Sequence, residues 1–166
     1  MYLPRLEIRN IKISIFIKDK LNMSLPRITE YENMIFTIYP HSRKLINVTN
    51  LKSIKQLEDI KKVISSQFNV RVDIVRIDSM MLSRKVENRL FSFKETLKSI
   101  TNQDFKTDND QELFHAPWVK SKYGSFNLFS NGSVTCMGVK SLEGLLKIES
   151  FLNMIYCEEN EIKSLL

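Results

Sequence analysis

The chain has 166 residues, enough for one domain or for two small halves sharing a core. It is 43% hydrophobic and 27% charged, which fits a soluble folded globule and excludes a disordered or fibrous chain. No apolar run approaches the roughly 20 residues that cross a bilayer. The opening MYLPRLEIRN has no apolar signal-peptide core, so cytosol, nucleus or a virus-like intracellular compartment is expected. The formal charge of +6 favours a polyanionic partner, although AT-rich coding also yields Lys-, Asn- and Ile-rich chains. Two cysteines, Cys136 and Cys157, are too few for a disulfide scaffold and are expected as reduced, buried thiols. With no signal peptide, the sequons at Asn22, Asn47 and Asn131 read as chance matches.

The first element is a strand over residues 5–17. Its apolar residues alternate at Leu6 and Ile8, then at Ile11, Ile13, Ile15 and Ile17. The phase slips around Arg9–Ile11, which predicts a bulge or a bend there. After a polar link, RITEY, MIFTIYP and KLINVTNL read as an antiparallel meander. Ser53 with Gln56 predicts a capping box, followed by a helix that stops near Gln67. Ile54, Leu57, Ile60 and Ile64 form its apolar stripe. The pattern then restarts with a strand region over residues 70–86 and a helix carrying Leu90, Phe93, Leu97 and Ile100 on one face. TNQDFKTDNDQE reads as a solvated loop. LFHAPWVKSK, SFNLFSN and SVTCMGVK follow as strands, with Asn131-Gly132 as a hairpin turn. A last helix opens at Ser141 and buries Leu142, Leu145, Ile148, Leu152 and Ile155.

The chain therefore reads as two copies of one unit: a long strand, a variable link, a meander and a long helix. The copies span about 5–67 and 70–156, with a short tail over 157–166, all within one domain. NVTNLKS and TCMGVKS are the best internal match. The second copy carries about 20 extra residues after its first strand, the length of one more helix and loop. The fold class is α+β, an antiparallel sheet with helices segregated to one side. The other sheet face must meet water or a partner. Phe126, Leu128, Val134 and Cys136 should point to the helices. The alternate set, Asn127, Phe129, Thr135 and Met137, is too apolar for free water. In the first copy the parallel set is Ile35, Thr37, Tyr39, Ile46 and Val48. Apolar and small polar groups rimmed by lysine suit a DNA minor groove.

NLFSNGSVTCMGVKS resembles the third and fourth strands of a TATA-box-binding protein repeat. LPRLEIRNIKIS resembles that family's opening strand, VDIVRIDSM the start of its second repeat, and ELFHAPW a segment that carries a wedge phenylalanine. The likeness covers nearly the whole chain. It implies a saddle with helices on its convex face, minor-groove binding with strong bending of A·T-rich promoter DNA, and transcription initiation with a IIB-type factor and RNA polymerase. It implies no cofactor and no metal. It implies a monomer on DNA, with a dimer as the alternative when free, in a nucleus or a cytoplasmic viral factory.

Carried over residue by residue, the resemblance puts Phe114 and Phe129 on the second repeat's wedge pair. Tyr39 falls on one wedge of the first repeat, and Ile28 and Tyr31 are candidates for the other. Asn10 falls on a base-contacting asparagine. Thr135 and Met137 line the groove in the second repeat, and Ile46 and Val48 in the first. Lys44, Lys120 and Lys140 stand at the rim to hold phosphates. The departures are Asp78 at the second repeat's asparagine position, Tyr39 for phenylalanine, His115 where the family often has proline, and a shortened first repeat.

Enzyme chemistry has little support. His41 and His115 lack ligand-like neighbours, and there is no nucleophile elbow or P-loop. Asp73 and Asp78 have an odd spacing, which sends them to opposite strand faces. Trp118 reads as a strand anchor. One alternative is a protein-interaction module of the same fold with weak DNA affinity. A second, a substrate-grip module of a nucleic-acid enzyme, lacks any attached catalytic domain.

Overall fold

The computed structural model describes residues 6–22, 24–39, 41–84, 93–99, 104–108 and 116–164. They form two compact units, Ile8–Met80 and Met81–Leu166 with the first seven residues, and the division falls at the first residue of one strand and inside another. Both units are α+β, the class expected from the sequence.

The first unit contains β1 (Glu7–Ile17), β2 (Ile28–Tyr31), β3 (Met34–Ile38), β4 (Leu45–Leu51) and α1 (Ile54–Phe68). It closes with β5 (Val72–Arg84), whose residues up to Met80 belong here. The strand order is β2-β3-β4-β1-β5. Ile11, Ile13, Ile15, Phe36, Ile46, Val48 and Leu51 are buried on one sheet face, as are Ile60 and Ile64 of α1. The Phe36 ring meets Phe68 of α1 edge-on at 5.7 Å. The predicted helix start holds: the Gln56 N–H donates to Ser53 Oγ at 3.2 Å, and Gln56 Oε1 accepts from the Lys52 N–H at 2.6 Å. Asn69 ends the helix in a left-handed conformation at φ 53°. The phase slip lies one step beyond its expected place. Ile11 pairs with Leu51 and Ile13 with Val48, so the extra residue belongs to β4. Asn50 absorbs it at φ 69°.

The second unit contains the end of β5, α2 (Phe93–Ser99), β6 (Phe105–Asp108), β7 (Trp118–Ser121), β8 (Gly124–Leu128), β9 (Val134–Val139) and α3 (Leu142–Ser164). Its strand order is β5-β9-β8-β7-β6. Val119, Phe126, Leu128, Val134, Cys136 and Val139 are buried together with Ile148, Phe151, Leu152, Ile155 and Tyr156 of α3.

The acidic stretch read as a loop contains β6, because Phe105 stacks on Phe151 with ring centroids 4.0 Å apart and planes at 4°. One half-buried, stacked ring offsets the polar neighbours that hide the strand in the sequence. Helix α3 continues to Ser164, through most of the stretch read as a tail. Leu142, expected in the core, is 46% exposed on the first turn of α3. Cys157 is exposed, while Cys136 is buried. On α2, Phe93 and Leu97 are buried as expected, and Leu90 and Ile100 lie outside the described residues.

Candidate functional site

In the second unit the uncovered sheet face follows from strand alternation. Phe126, Leu128, Val134 and Cys136 are all buried, so their neighbours point the other way. Cross-strand register places Trp118, Asn127 and Thr135 in one row, and Lys106, Lys120, Ser125 and Met137 in the next. Met137 is 42% exposed. Trp118 thus stands among the candidate residues rather than as a mere strand anchor.

Phe129 follows β8 and is 41% exposed. Its N–H donates to Ser133 O at 3.0 Å, and its carbonyl accepts from the Gly132 N–H at 2.8 Å. Asn131 Oδ1 accepts from the Ser133 N–H at 2.9 Å and braces the same turn. The backbone is held while the ring faces outward. Burial pushes the Cys136 thiol up to about 12, so the sulfur beneath this face stays protonated. Phe114 and His115 lie outside the described residues.

The first unit corrects the assignment on β4. Ile46 and Val48 are fully buried, paired with Ile15 and with Phe36 on the covered side. Asn47 and Thr49 hold the uncovered positions, opposite Thr37 and Ile35. The signal was in the sequence. Laying NVTNLKS on TCMGVKS without a gap puts Asn47 on Thr135 and Thr49 on Met137. Tyr39 follows β3 as Phe129 follows β8, and it is 46% exposed. Ile28 pairs with Thr37 and shares this face, whereas Tyr31 pairs with the buried Met34 on the other.

Asn10 has a structural task. Its Oδ1 accepts from the Asn50 N–H at 2.8 Å and so pins the β4 bulge. Lys44 is exposed before β4, and its carbonyl accepts from the Ile17 N–H at 3.0 Å. Lys120 and Lys140 are exposed, the latter just after β9. Beside Tyr39 a cavity of about 210 Å³ opens, with Arg27 and Arg43 in its lining.

A polar network crosses the uncovered face of the first unit. Ser14 Oγ donates to Asp78 Oδ2 at 2.5 Å. Arg76 Nε donates to Asp78 Oδ1 at 2.9 Å, and the guanidinium lies 5.3 Å from the centroid of the Phe16 ring. The Asn47 side chain lies 3.1 Å from Ser14 Oγ and 3.3 Å from the Tyr39 hydroxyl. Ser14 has one proton, and Asp78 takes it. The consistent orientation of Asn47 is then amide nitrogen toward Ser14 and carbonyl oxygen toward Tyr39. The Ser14 and Tyr39 hydroxyls then each find an acceptor, and the row ends on a carboxylate whose side chain is 34% exposed.

Among the described residues no group of three or more His, Cys, Asp or Glu side chains could hold a metal ion. No helix among them is long and apolar enough to cross a membrane.

The chain is similar in structure to the Methanococcus jannaschii TBP, with a TM-score of 0.60 and 20% identity over 92% of this chain and 99% of that one. It therefore has the fold of that protein. A second similarity is to a complex of Aquifex aeolicus tRNASec with Methanopyrus kandleri SerRS. There the TM-score is 0.47 and the identity 10%, over 95% of this chain and 31% of that one. No protein-family model and no curated protein matches the sequence.

Proposed function

We propose that the protein is a TATA-box-binding-protein-like transcription factor that holds A·T-rich duplex DNA by its minor groove against the uncovered sheet faces. The observation that carries this reading is Phe129, an aromatic ring on a hydrogen-bonded turn beside a face of Trp118, Asn127, Thr135 and Met137. An exposed ring on a rigid turn can enter a base step, and unstacking that step kinks the duplex. Asn127 and Thr135 supply donors for the acceptors on A·T edges, and Met137 packs on sugars. Lys106, Lys120, Lys44, Arg27 and Arg43 supply cations for phosphates. A IIB-type factor and RNA polymerase are the protein partners this reading calls for.

The test is titration into an end-labelled A·T-rich duplex at two salt concentrations, with a G·C-rich control. The expected result is A·T-preferring binding, a change in end-to-end distance, and a steep salt slope of about −0.9 per phosphate neutralised. Binding without preference or bending rejects the groove reading.

The second reading is a protein-interaction module. It is favoured by Asp78 and Glu30 on the uncovered face of the first unit, beside Ile28 at 66% exposure and Ile35 at 37%. Acidic and aliphatic groups together suit a protein surface better than a phosphate-flanked groove.

A further inference from the structure

We infer that Asp78 is a specificity residue for the exocyclic amino group of a purine in the minor groove. On this chain, first-unit contact with DNA then selects a base pair bearing an N2 amino group, G·C, within an A·T-rich site. This inference rests on the DNA-binding reading above.

The minor-groove edge of A·T offers only acceptors, adenine N3 and thymine O2. G·C adds one donor, the guanine N2 amino group. A carboxylate facing that edge meets acceptors with acceptors at A·T and gains a charge-assisted hydrogen bond at G·C.

The geometry fixes Asp78 for this task. Its two oxygens already accept one bond each, from Ser14 and from Arg76. A carboxylate oxygen has two lone pairs, so each retains a place for one more donor. The existing bonds hold the group oriented, and its side chain is still 34% exposed. Ser14 belongs to the uncovered row through its pairing with Asn47, so the carboxylate lies on the face offered to DNA. Arg76 Nε is turned to Asp78, its guanidinium lies against Phe16, and Asn47 is spanned between Ser14 and Tyr39. The carboxylate is the acidic group of this row, and its unused lone pairs accept.

The experiment replaces adenines of the bound A·T-rich duplex one at a time by 2,6-diaminopurine, which adds the N2 amino group and keeps the thymine pairing. The expected result is about tenfold tighter binding at one position or two adjacent ones, the scale of a hydrogen bond to a charged group. Asp78→Asn should abolish that gain and tighten binding to the unmodified duplex, because Arg76 is then free to donate to A·T acceptors. A matched scan with inosine for guanine at the selected position removes the amino group without altering the protein. It should cost the same factor, and it decides the matter even if the variant fails to fold. Binding that is indifferent to the amino group at every position overturns the role of Asp78 and leaves the DNA reading intact. Absence of binding to any duplex overturns both.

Discussion

Asn50 occupies in its hairpin the place Gly138 occupies in the other, each three residues before a helix-capping serine and each left-handed, at φ 69° and 74°. Ser53 receives the Gln56 N–H and Ser141 the Gly144 N–H, at 3.2 and 2.9 Å. A Cβ on Gly138 would meet nothing within 4 Å, so substitution there is opposed by backbone conformation alone. Gly138→Ala should lower stability by about 1 kcal/mol, and Gly138→Asn by less, since asparagine tolerates this region. Asn50 also donates from Nδ2 to Asn33 O at 2.7 Å, so Asn50→Ala should cost about 1–2 kcal/mol. Urea denaturation reads all three. An unchanged midpoint for Gly138→Ala would contradict the left-handed assignment.

Much of this correspondence was legible in the chain. NVTNLKS and TCMGVKS share a strand phase, a left-handed position and a serine cap, and each belongs to local chemistry that a short window contains. Ile46 and Val48 came from carrying the family pattern across an uneven first hairpin, whereas the ungapped match of NVTNLKS with TCMGVKS gives the other phase. A one-residue slip exchanges the two faces of a strand, so Ile46 and Val48 took the places of Asn47 and Thr49. Strand β6 was hidden for a different reason. Its one aromatic ring, Phe105, finds its partner Phe151 far along the chain, and no local pattern records such a contact. The network on Ser14 was equally invisible, since Asn47, Ser14 and Asp78 come from three strands.

Arg84 is a buried cation with incomplete hydrogen bonding. It is 1% exposed, and Nη2 donates to Asn153 Oδ1 at 3.0 Å. Its Nε and Nη1 are buried without a hydrogen-bond partner, and the guanidinium lies 5.2 Å from the Tyr156 ring centroid. Burial pulls its pKa down from the ordinary arginine value. Arg84→Met keeps the packing and removes the orphaned donors, so it should raise stability by about 1–3 kcal/mol. Asn153→Ala should lower it by a similar amount, since it takes away one of the bonds the charge has. Thermal unfolding of both variants checks the opposite signs.

Asp19 should impose an acid limit on the first unit. Arg71 donates to it from Nη2 at 2.9 Å, from Nε at 3.3 Å and from the backbone N–H at 2.8 Å. The side-chain bonds first, then the backbone bond, hold its pKa down at about 2 against an ordinary 3.8. A depressed carboxyl contributes stability that is complete above the unfolded value and lost as pH falls through the folded one. The gap between wild type and Asp19→Asn should therefore be full near neutrality and close between pH 3.8 and about 2. A gap that persists at the acid end would place its origin elsewhere. The site is exposed, so the gap should also shrink in high salt.

Phe129→Ala should separate bending from attraction. Loss of the ring removes the wedge and leaves Lys106 and Lys120 in place. Affinity for the A·T-rich duplex should fall about tenfold or more, a share of the roughly 1–3 kcal/mol typical of base–aromatic contacts. The salt slope should stay unchanged, and the end-to-end distance should return toward that of free DNA. Lys120→Gln should do the reverse, with bending kept and the slope reduced by about one phosphate. Full bending by Phe129→Ala would remove the ring from the mechanism.

Helix α2 has seven residues, too few to persist alone when isolated helices below about 12–15 residues are marginal in water. It is held by α3: the Phe93 ring meets Tyr156 edge-on at 5.5 Å, and the Thr96 hydroxyl donates to the Glu159 carboxylate. The end of the long helix is thus a splint for the short one. Protease cleavage after Cys157 would remove Glu159 while sparing the α3 residues that cover the sheet. The protein would keep its sheet and lose a helix, and amide hydrogen exchange would register that loss in α2 before any other element.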